Sequence, residues 1–419
     1  MDETKPFKIS KYKVKEAFIK VKANKGTYGI DEQTIDEYEE NLKDNLYKLW
    51  NRMSSGTYFP KPVKAVAIPK KNGGQRILGI PTVEDRIAQM VAKLYLEPEV
   101  EPIFYEDSYG YRPNKSAIDA IDVTRTRCWK YEWVLEFDIK GLFDNIRHDY
   151  LLKLVSRHTE EKWIMLYIER WLKTPFQKAD GTIEERTAGT PQGGVISPVL
   201  ANIFMHYVFD DFMSKQFKTI PWCRYADDGV CHCVSLKQAK YLKKKLQERF
   251  AKCGIEMNVD KTRIVYCKET DRNNEYENVK FDFLGYTFRP RSVKTKDGRF
   301  ITGYLPAISE KAKKAIRTEI RSWNLQRQTS LDIKEIAEKY NSKIRGWINY
   351  YSHFYKSEIS RLLKYVNKCL IKWAMRKYKN ATSEHKARKW LQRVAENNKE
   401  MFAHWKFGVM PKAMIMGAV

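Results

Sequence analysis

The sequence has no hydrophobic run long enough to cross a membrane, and it has few cysteines. No stretch of its 419 residues approaches 18 uncharged apolar residues, and the opening MDETKPFKISKYK lacks the hydrophobic segment of a secretory signal. The seven cysteines form no CxxC pair and are odd in number, which argues against a disulfide framework. We therefore expect a cytoplasmic chain with reduced thiols and no membrane partner.

Acidic residues are also in short supply, with 52 Asp and Glu against 77 Lys and Arg and a net charge of +25. The excess is uneven, because residues 291–419 hold 29 Lys and Arg but only 10 Asp and Glu, a net charge of +19. Such a block attracts a polyanion, since each phosphate that it neutralises releases counterions. The alternative is a solvated helical surface without a partner. The charge favours nucleic acid.

Aromatic residues are plentiful, and the 11 Trp, 25 Tyr and 19 Phe can fill real cores. Strand-like runs on either side of a Gly-containing turn predict a hairpin over residues 65–80. Helical spacing follows over residues 83–96, with Pro98 and Pro102 expected to end that helix. A second helix is predicted to begin with Ser197 as its N-cap, and residues 222–234 have the pattern strand, tight turn, strand. The middle of the chain is therefore predicted to be an α+β domain.

Beyond about residue 291 the apolar spacing becomes helical throughout. Three stripes that can share one core are Ala312, Ile316, Ile320 and Trp323; Ile333, Ile336, Tyr340, Ile344 and Trp347; and Ile359, Leu362, Leu363, Val366, Leu370 and Trp373. A last helix is predicted around Lys386–Ala395. The architecture predicted from the pattern is a small basic helical bundle joined to an α+β domain.

Two acidic segments lie where strands are predicted to end, at Asp138 and at the adjacent pair Asp227 and Asp228. Unpaired carboxylates are costly in a core, so their convergence implies bound cations. Mg²⁺ prefers a few carboxylates, waters and substrate phosphates, and two such ions about 3.5–4 Å apart support in-line phosphoryl transfer. The alternative is that Asp227 and Asp228 form only a polar hairpin turn.

Seven short segments, which follow one another in order along the chain and include these carboxylates, bear on their interpretation. They are Ile68–Lys70 with Gly79–Thr82, Ser108–Pro113, Asp138–Ile146, Gly189–Pro198, the YADD sequence Tyr225–Asp228, Phe283–Gly285 and Gly346–Tyr351. Together they resemble the group II intron-encoded reverse transcriptases, the maturase-type RNA-directed DNA polymerases of bacteria and organelles. The resemblance spans roughly residues 15–355.

The resemblance implies a right-hand polymerase fold, in which an antiparallel sheet flanked by helices forms fingers and palm and an all-α basic thumb, domain X, follows. The boundaries that we predict are residues 1–64 for an N-terminal extension and the start of the fingers, 65–290 for fingers and palm, 291–378 for the thumb, and 379–419 for a short basic DNA-binding-like tail.

By position in the motifs, Asp138, Asp227 and Asp228 resemble the catalytic carboxylates that hold two Mg²⁺ ions, with Mn²⁺ as a substitute. The carbonyl of Ile139 is an expected additional ligand.

The same resemblance implies a set of dNTP-binding residues. Phe143 is similar to the bulky residue beneath the sugar that excludes a 2′-hydroxyl; core packing is the alternative, and both can hold at once. Gln192 is similar to the residue against the incoming nucleotide, and Lys261 to a palm lysine near the triphosphate. Lys70 and Arg76, on opposite arms of the predicted hairpin, suit a triphosphate, with solvated hairpin charges as the alternative.

Template contacts are also implied by resemblance. The turn Asn24–Asp31 resembles an extension that lies against template RNA, which places Asn24 and Gly26 there, and Arg112 is assigned to RNA binding with them. Glu32 departs from the family, which usually has Gly at that position.

The expected function is extension of a DNA primer on an RNA template, with maturase activity that assists splicing of the intron. The expected partners are intron RNA, RNA–DNA duplex, a DNA primer or target and dNTPs, for a monomer or a dimer. The alternatives are a non-catalytic RNA-binding splicing maturase and a domesticated relative used in repair or phage defence.

Overall fold

The computed structural model describes residues 5–69, 75–295 and 297–411, without the side chain of Arg76. The chain separates into two compact units. One holds the residues up to Ala120 together with Leu135–Ile264, and the other holds Ile121–Val134 and the residues from Val265 onward.

The first unit begins with helices and a hairpin. Its first elements are α1 (Lys11–Asn24), α2 (Ile35–Glu40), α3 (Leu42–Ser55), β1 (Val63–Pro69), β2 (Gln75–Ile80) and α4 (Val83–Val100). The predicted hairpin is confirmed, since β1 and β2 pair antiparallel from Lys64 with Ile80 to Pro69 with Gln75. The prediction that α4 ends at its prolines is wrong for Pro98 and confirmed for Pro102, which lies in the 3-10 turn Glu101–Ile103 directly after the helix. The helix runs on to Val100, which is fully buried together with Leu96, so packing outweighs the hydrogen bond that proline cannot donate.

The chain then alternates between helices and short strands. The elements are α5 (Ala117–Cys128), β3 (Trp133–Asp138), α6 (Leu142–Asn145), α7 (His148–Val155), α8 (Lys162–Lys173), β4 (Phe176–Gln177), β5 (Ile183–Glu184), α9 (Ser197–Met205), α10 (Asp211–Gln216), β6 (Trp222–Tyr225), β7 (Asp228–Cys233), α11 (Leu236–Lys252) and β8 (Arg263–Tyr266). Strands β2, β1, β4 and β5 form one sheet in that order, and β6, β7, β3 and β8 form another. The predicted hairpin at residues 222–234 is β6 and β7, which pair antiparallel.

One glycine lets β3 and β7 lie side by side. A Cβ atom at Gly229 would come within 2.2 Å of the Phe137 ring, so only glycine leaves room for that ring. Phe137 precedes Asp138 and Gly229 follows Asp228. The close approach therefore brings two of the predicted catalytic carboxylates to neighbouring strands.

Helix α9 differs from its prediction at the N-terminus. The N-cap is Ile196, and the Ser197 hydroxyl accepts a hydrogen bond from Thr190 Oγ1 at 2.6 Å instead of capping the helix. The helix continues through a π-helical turn at His206–Asp210 into α10. π-Turns of this kind often occur at functional sites, and this one carries Asp210.

The second unit contains a sheet and a helical bundle. Its remaining elements are β9 (Phe281–Phe283), β10 (Tyr286–Lys294), β11 (Phe300–Ile308), α12 (Glu310–Ser322), α13 (Ile333–Tyr351), α14 (Lys356–Lys377), α15 (Glu384–Asn397) and α16 (Ala403–Lys406). Strand β10 lies between β11 and β9 and pairs antiparallel with both.

The three predicted stripes meet in one apolar core, as the pattern indicated. Trp323 and Trp373 are buried, and Trp347 is partly buried against the same core. Residues beyond 378 join them, because Leu391 of α15 and Trp405 of α16 are also buried there. The described part of the predicted tail, residues 379–411, thus packs on the helical core, and the last helix expected around Lys386–Ala395 extends the bundle.

The division into two units also falls at a different place from the predicted boundary near residue 290. The break lies at Ile264, and Ile121–Val134 belongs with the later part of the chain. The four domain boundaries themselves stay predictions. Among the described residues, no helix combines the length and the apolarity that a membrane span requires.

Candidate active site

The three predicted catalytic carboxylates lie at one edge of the β6-β7-β3-β8 sheet, within the first unit. Asp138 is the last residue of β3, and Asp228 is the first residue of β7. Asp227 lies in the turn between β6 and β7, where Tyr225 pairs with Asp228 across two central residues. The Asp228 carboxyl interacts directly with that of Asp138 and with the charge of Asp227.

The turn that carries Asp227 has a constrained backbone. Ala226 adopts a positive φ of 57°, which tight two-residue hairpins require at a central position. Gly110 packs directly against this turn, because a Cβ atom there would lie 2.4 Å from the Ala226 nitrogen. The Ser108–Pro113 segment therefore forms the support of the carboxylate turn.

A buried ion pair holds the backbone of the turn that carries Asp227. Arg224 donates from Nε and Nη2 to the two carboxylate oxygens of Asp210 at 2.7 and 2.6 Å, and both side chains are fully buried. The same guanidinium donates to the Ala226 carbonyl at 3.1 Å, to Asn202 Oδ1 at 3.1 Å and to Ser108 Oγ at 2.8 Å. All of its contacts are oxygen acceptors, so the buried charge is fully compensated.

Asp138 is held by residues that follow α11. Lys261 Nζ donates to both Asp138 carboxylate oxygens at 2.9 Å, and Asn258 Nδ2 donates to Oδ2 at 3.0 Å. Burial alone would lower the pKa of Lys261, but its bond to Asp138 and the three nearby carboxylates together raise the pKa. The predicted triphosphate lysine thus lies beside the carboxylates and is paired with one of them.

The clustered negative charge changes the protonation of Asp228. Burial, followed by the charges of Asp227 and Asp138, raises the pKa of Asp228 to about 7. A divalent cation fits this donor set, because hard cations prefer carboxylate oxygens and would relieve the repulsion among the three groups. Within the described residues, His, Cys, Asp and Glu side chains form no preformed group of three that could hold a metal ion. Lys261 supplies a positive charge at Asp138.

Ile139 takes part in a backbone bridge beside Asp138. Ile139 bridges to Met257, and the hydrogen bonds of this bridge run from Asn258 N to Asp138 O and from Lys140 N to Glu256 O. The bridge therefore uses the flanking peptide groups and not the Ile139 carbonyl.

Phe143 and Gln192 lie on two segments that contact each other. The Phe143 carbonyl accepts a hydrogen bond from Thr190 N at 2.6 Å, at the start of the loop that carries Gln192. Gln192 Nε2 donates to the Asp144 carboxylate oxygens at 2.9 and 3.0 Å. Phe143 is partly exposed, and its contact with the sugar stays a prediction.

The other predicted nucleotide-binding residues cannot be placed. Lys70 lies outside the described residues, as does the side chain of Arg76. Only the backbone of Arg76 is described, and it pairs with Ile68 across the hairpin.

The N-terminal turn is clamped by an arginine from α4. Arg86 donates from Nη2 to the Thr27 carbonyl at 2.7 Å and from Nη1 to the Lys25 carbonyl at 3.4 Å. Gly26 has a φ of 122°, and a Cβ atom there would lie 2.5 Å from Arg86 Nη1. Asn24 is the last residue of α1. The backbone conformation and the close contact with Arg86 thus explain why residue 26 is glycine. The template contacts of Asn24 and Gly26 stay predictions.

Arg112 is placed differently from its predicted role. Its side chain is only 6% exposed and is directed into the protein. It donates to Glu101 at 2.7 and 3.0 Å and to the carbonyls of Tyr105 and Ser108 at 2.6 and 2.7 Å. This arrangement does not support an RNA contact, because the guanidinium is used to hold the Ser108 segment beneath the carboxylate turn.

Sequence reasoning missed the residues that support the site. Arg224, Asp210 and Asn202 were not singled out, and neither was Asp144. Arg224 directly precedes the YADD motif and is the one charged residue of strand β6, which was a signal for a buried partner. Asp210 and Asn202 gave no such signal, because they occupy helical positions among apolar residues.

Comparison with known proteins places these features in a family. The sequence model of the family described as reverse transcriptase (RNA-dependent DNA polymerase) matches residues 68–288, and that of the group II intron maturase-specific domain matches residues 313–393. The group II intron-encoded protein LtrA of Lactococcus lactis subsp. cremoris is 28% identical, over 80% of this chain and 68% of LtrA. Protein YkfC of Escherichia coli K12 is 30% identical, over 58% of this chain and 73% of YkfC.

Among solved structures, a telomerase from Candida albicans shares 13% sequence identity, covers 89% of this chain and 67% of its own, and gives a TM-score of 0.46. A truncated telomerase from Candida tropicalis covers 55% of this chain and 53% of its own, with a TM-score of 0.43. The family model spans the carboxylates, the Gln192 loop and the Lys261 segment. The predicted family and fold class are confirmed: the chain belongs to the reverse transcriptases, RNA-directed DNA polymerases, and carries the maturase-specific domain of group II introns.

Proposed function

We propose that this chain extends a DNA primer on an RNA template by nucleotidyl transfer from dNTPs at Asp138, Asp227 and Asp228. The observation that carries the proposal is the meeting of three carboxylates at one sheet edge, with the pKa of Asp228 raised to about 7 by burial and by its two acidic neighbours. Such crowding of like charges costs stability unless a cation is bound in the working state.

Reverse transcriptases use divalent metal ions, and we assign them here as two Mg²⁺ ions, with Mn²⁺ as a substitute. The residues that would hold them are the three carboxylates and the Ile139 carbonyl. When bound, the ions would increase the nucleophilicity of the primer hydroxyl and stabilise the leaving oxygen.

The remaining site residues orient the substrates. Phe143, partly exposed beside the site, would contact the sugar and exclude a 2′-hydroxyl. Lys261 Nζ lies 2.9 Å from Asp138, so it can transfer its interaction to a triphosphate once Asp138 binds a cation. Gln192 would contact the incoming nucleotide, and its bond to Asp144 holds it beside the segment that follows Asp138. Lys70 and Arg76 are proposed to contact the triphosphate on the strength of the family resemblance alone.

Primer extension on an RNA template tests this function. With Mg²⁺ and dNTPs supplied, the wild-type chain should extend the primer, and Asp227→Ala should lower the rate to below about one hundredth. Asp180→Ala, an acidic residue in an exposed loop, should keep the wild-type rate. Failure of the wild type to extend, or extension by Asp227→Ala at the wild-type rate, would refute the proposal.

A second function, maturase activity on the intron RNA, is favoured by the outward face of α14. Opposite its buried residues lie five exposed cations in one row: Arg361, Lys364, Lys368, Lys372 and Arg376. A row of this kind suits RNA phosphates. Splicing of the flanking intron RNA at low Mg²⁺ should require the protein and survive Asp227→Ala.

This splicing assay also separates the alternatives. Splicing support without primer extension by the wild type would indicate a non-catalytic maturase. Extension without any splicing support would indicate a domesticated enzyme of repair or phage defence. Whether the chain works as a monomer or a dimer can be measured in the same preparations by light scattering.

A further inference from the structure

Two buried polar side chains on α4 hold the loop that carries Gln192. Gln89 and Asp85 are 2% and 1% exposed. The Gln89 carbonyl oxygen accepts hydrogen bonds from the backbone N–H groups of Val195 at 2.8 Å and Ile196 at 3.4 Å. This places one buried side-chain oxygen under the C-terminal half of the loop Pro191–Ile196.

Asp85 fixes the orientation of the Gln89 amide. Gln89 Nε2 donates to Asp85 Oδ2 at 2.8 Å, while Asp85 Oδ1 accepts from Tyr58 Oη and Trp171 Nε1, both at 2.7 Å. Because the Asp85 carboxylate accepts the amide N–H, the amide oxygen of Gln89 must face the loop. The chain Asp85–Gln89–Val195 therefore has a defined direction from donor to acceptor at every step.

The loop has two other anchors, and its glycines make the close approach possible. The Gln192 carbonyl accepts from Gly79 N at 2.8 Å, and Gln192 Nε2 donates to Asp144. A Cβ atom at Gly194 would lie 3.1 Å from the Gln89 amide oxygen and 2.5 Å from Ser197 Oγ. Gln89 thus reaches the loop beside Gly194, where only glycine leaves room, two residues from Gln192.

We propose that Gln89, oriented by Asp85, is a positioning residue for the incoming nucleotide, because it sets the backbone of the loop that presents Gln192. The inference rests on the proposed polymerase function and adds two residues that do not touch substrate themselves. A loop that is set correctly before the nucleotide arrives lowers the cost of binding it. Loss of Gln89 should therefore raise the KM for dNTP more than it lowers kcat.

Steady-state extension of an oligo(dT) primer on poly(rA) with dTTP, using the full chain, tests this. Gln89→Met keeps the length of the side chain but removes the acceptor for Val195 N and Ile196 N and the donor to Asp85, so the KM for dTTP should rise at least about tenfold. The kcat and the Kd for primer–template should stay within about threefold of the wild-type values, because the position of the Pro191–Ile196 loop affects binding of the incoming nucleotide and not these two quantities. Lys93→Met on the same helix, whose side chain pairs with Glu97, is the control and should match the wild type.

Exchanging the Asp85 carboxylate and the Gln89 amide between the two positions tests the hydrogen-bond direction more sharply than removing the Gln89 amide alone. Gln89→Glu alone places a second carboxylate beside Asp85, and Asp85→Asn alone places two amide donors face to face, so each should raise the KM. The combined variant Asp85→Asn/Gln89→Glu restores a donor opposite an acceptor and leaves an oxygen for Val195 N. Its KM should return to within about threefold of the wild type, a rescue that follows from the direction of the hydrogen bonds.

The outcomes distinguish this inference from the function on which it rests. A wild type that does not extend the primer overturns both. An active wild type with an unchanged KM in a folded Gln89→Met variant overturns the inference alone. If Gln89→Met does not fold, the combined variant decides: a KM near wild type supports the inference, and a raised KM or failure to fold overturns it.

Discussion

The carboxylate hairpin of the first unit and the helical core of the second unit are stabilised by different kinds of contact. Around the hairpin, Arg224 and Asp210 are both fully buried and joined by two hydrogen bonds. The helical core consists mainly of apolar side chains, with Leu370 and Trp373 fully buried. A buried ion pair fails when one partner is lost, whereas an apolar core weakens with the volume removed. The polar contacts fix one geometry, which is what a site for chemistry needs.

The largest effect is expected from breaking the buried ion pair. Asp210→Ala should lower the free energy of unfolding by about 3–5 kcal/mol, because the Arg224 charge is left without its carboxylate. Primer extension should fall as well, since Arg224 also holds the Ala226 carbonyl of the carboxylate turn. Urea unfolding and hydrogen exchange in the first unit would measure the loss.

Two further variants separate stability from positioning. Asp211→Ala removes the neighbouring carboxylate, which pairs with the exposed Lys215 and accepts from Tyr105 Oη at 3.2 Å, and should cost less than about 2 kcal/mol. The double change Arg224→Met/Asp210→Leu should regain much of the stability but not the activity, because no donor to Ala226 remains. Full activity in that double variant would contradict the positioning role of the pair.

In the helical core, the expected loss is set by volume. Leu370→Ala should cost about 3 kcal/mol, within the range for large-to-small changes in a core, while Leu370→Met should cost less than about 1.5 kcal/mol. The KM for dTTP should stay unchanged in both, since Leu370 is fully buried within the helical core. A graded loss in thermal unfolding with a constant KM would support the contrast, and an altered KM would refute it.

The same contrast explains how far the sequence predicts the structure. The stripes of α12, α13 and α14 repeat every three to four residues, so their burial follows from periodicity alone. The carboxylates of the site were found through motif order and strand ends. Their supports were not, because a single Asp or Asn on an apolar helix has no periodic signature, and its partner lies far along the chain, as Asp210 and Arg224 show.

Errors in the prediction also have local physical causes. Arg112 was assigned to RNA binding, but its guanidinium donates to Glu101 and to two backbone carbonyls. Ser197 preceded a proline and looked like an N-cap, yet its hydroxyl pairs with Thr190. In both cases the residue type was judged correctly, and a tertiary partner, which sequence spacing does not reveal, decided its role.

The helical core contains a polar exception that gives it a pH dependence. Asn367 Oδ1 accepts from His404 Nε2 at 2.8 Å and from Trp405 Nε1 at 2.9 Å, so His404 is protonated on Nε2. Its Nδ1 is buried without a hydrogen-bond partner, and burial lowers the pKa of His404 to about 3. The native state therefore does not take up the proton that the unfolded chain binds below about pH 6.5.

Because the unfolded state binds more protons there, stability should fall as the pH falls from about 6.5 towards 3. The contribution of His404 should reach roughly 2–3 kcal/mol at pH 4.5. Unfolding free energies at pH 7 and pH 4.5 would show a smaller difference in His404→Leu than in the wild type. His353→Gln, at an exposed position, should keep the wild-type difference. Equal pH dependence in His404→Leu and the wild type would show that the buried ring does not control it.

The smallest expected effect concerns a single cation on the outer face of α14. Lys368→Gln should weaken binding of intron RNA only about two- to fivefold near 0.1 M salt, and should reduce the slope of log K against log salt by about one if Lys368 contacts a phosphate. Lys377 on the same helix is the matched control, because its ammonium donates to the carbonyls of Thr329 and Leu331 at 2.9 and 2.6 Å. Lys377→Gln should leave the slope unchanged. Equal slopes for both variants and the wild type would mean that the exposed row on α14 is only a solvated face, and that the charge of this unit acts elsewhere.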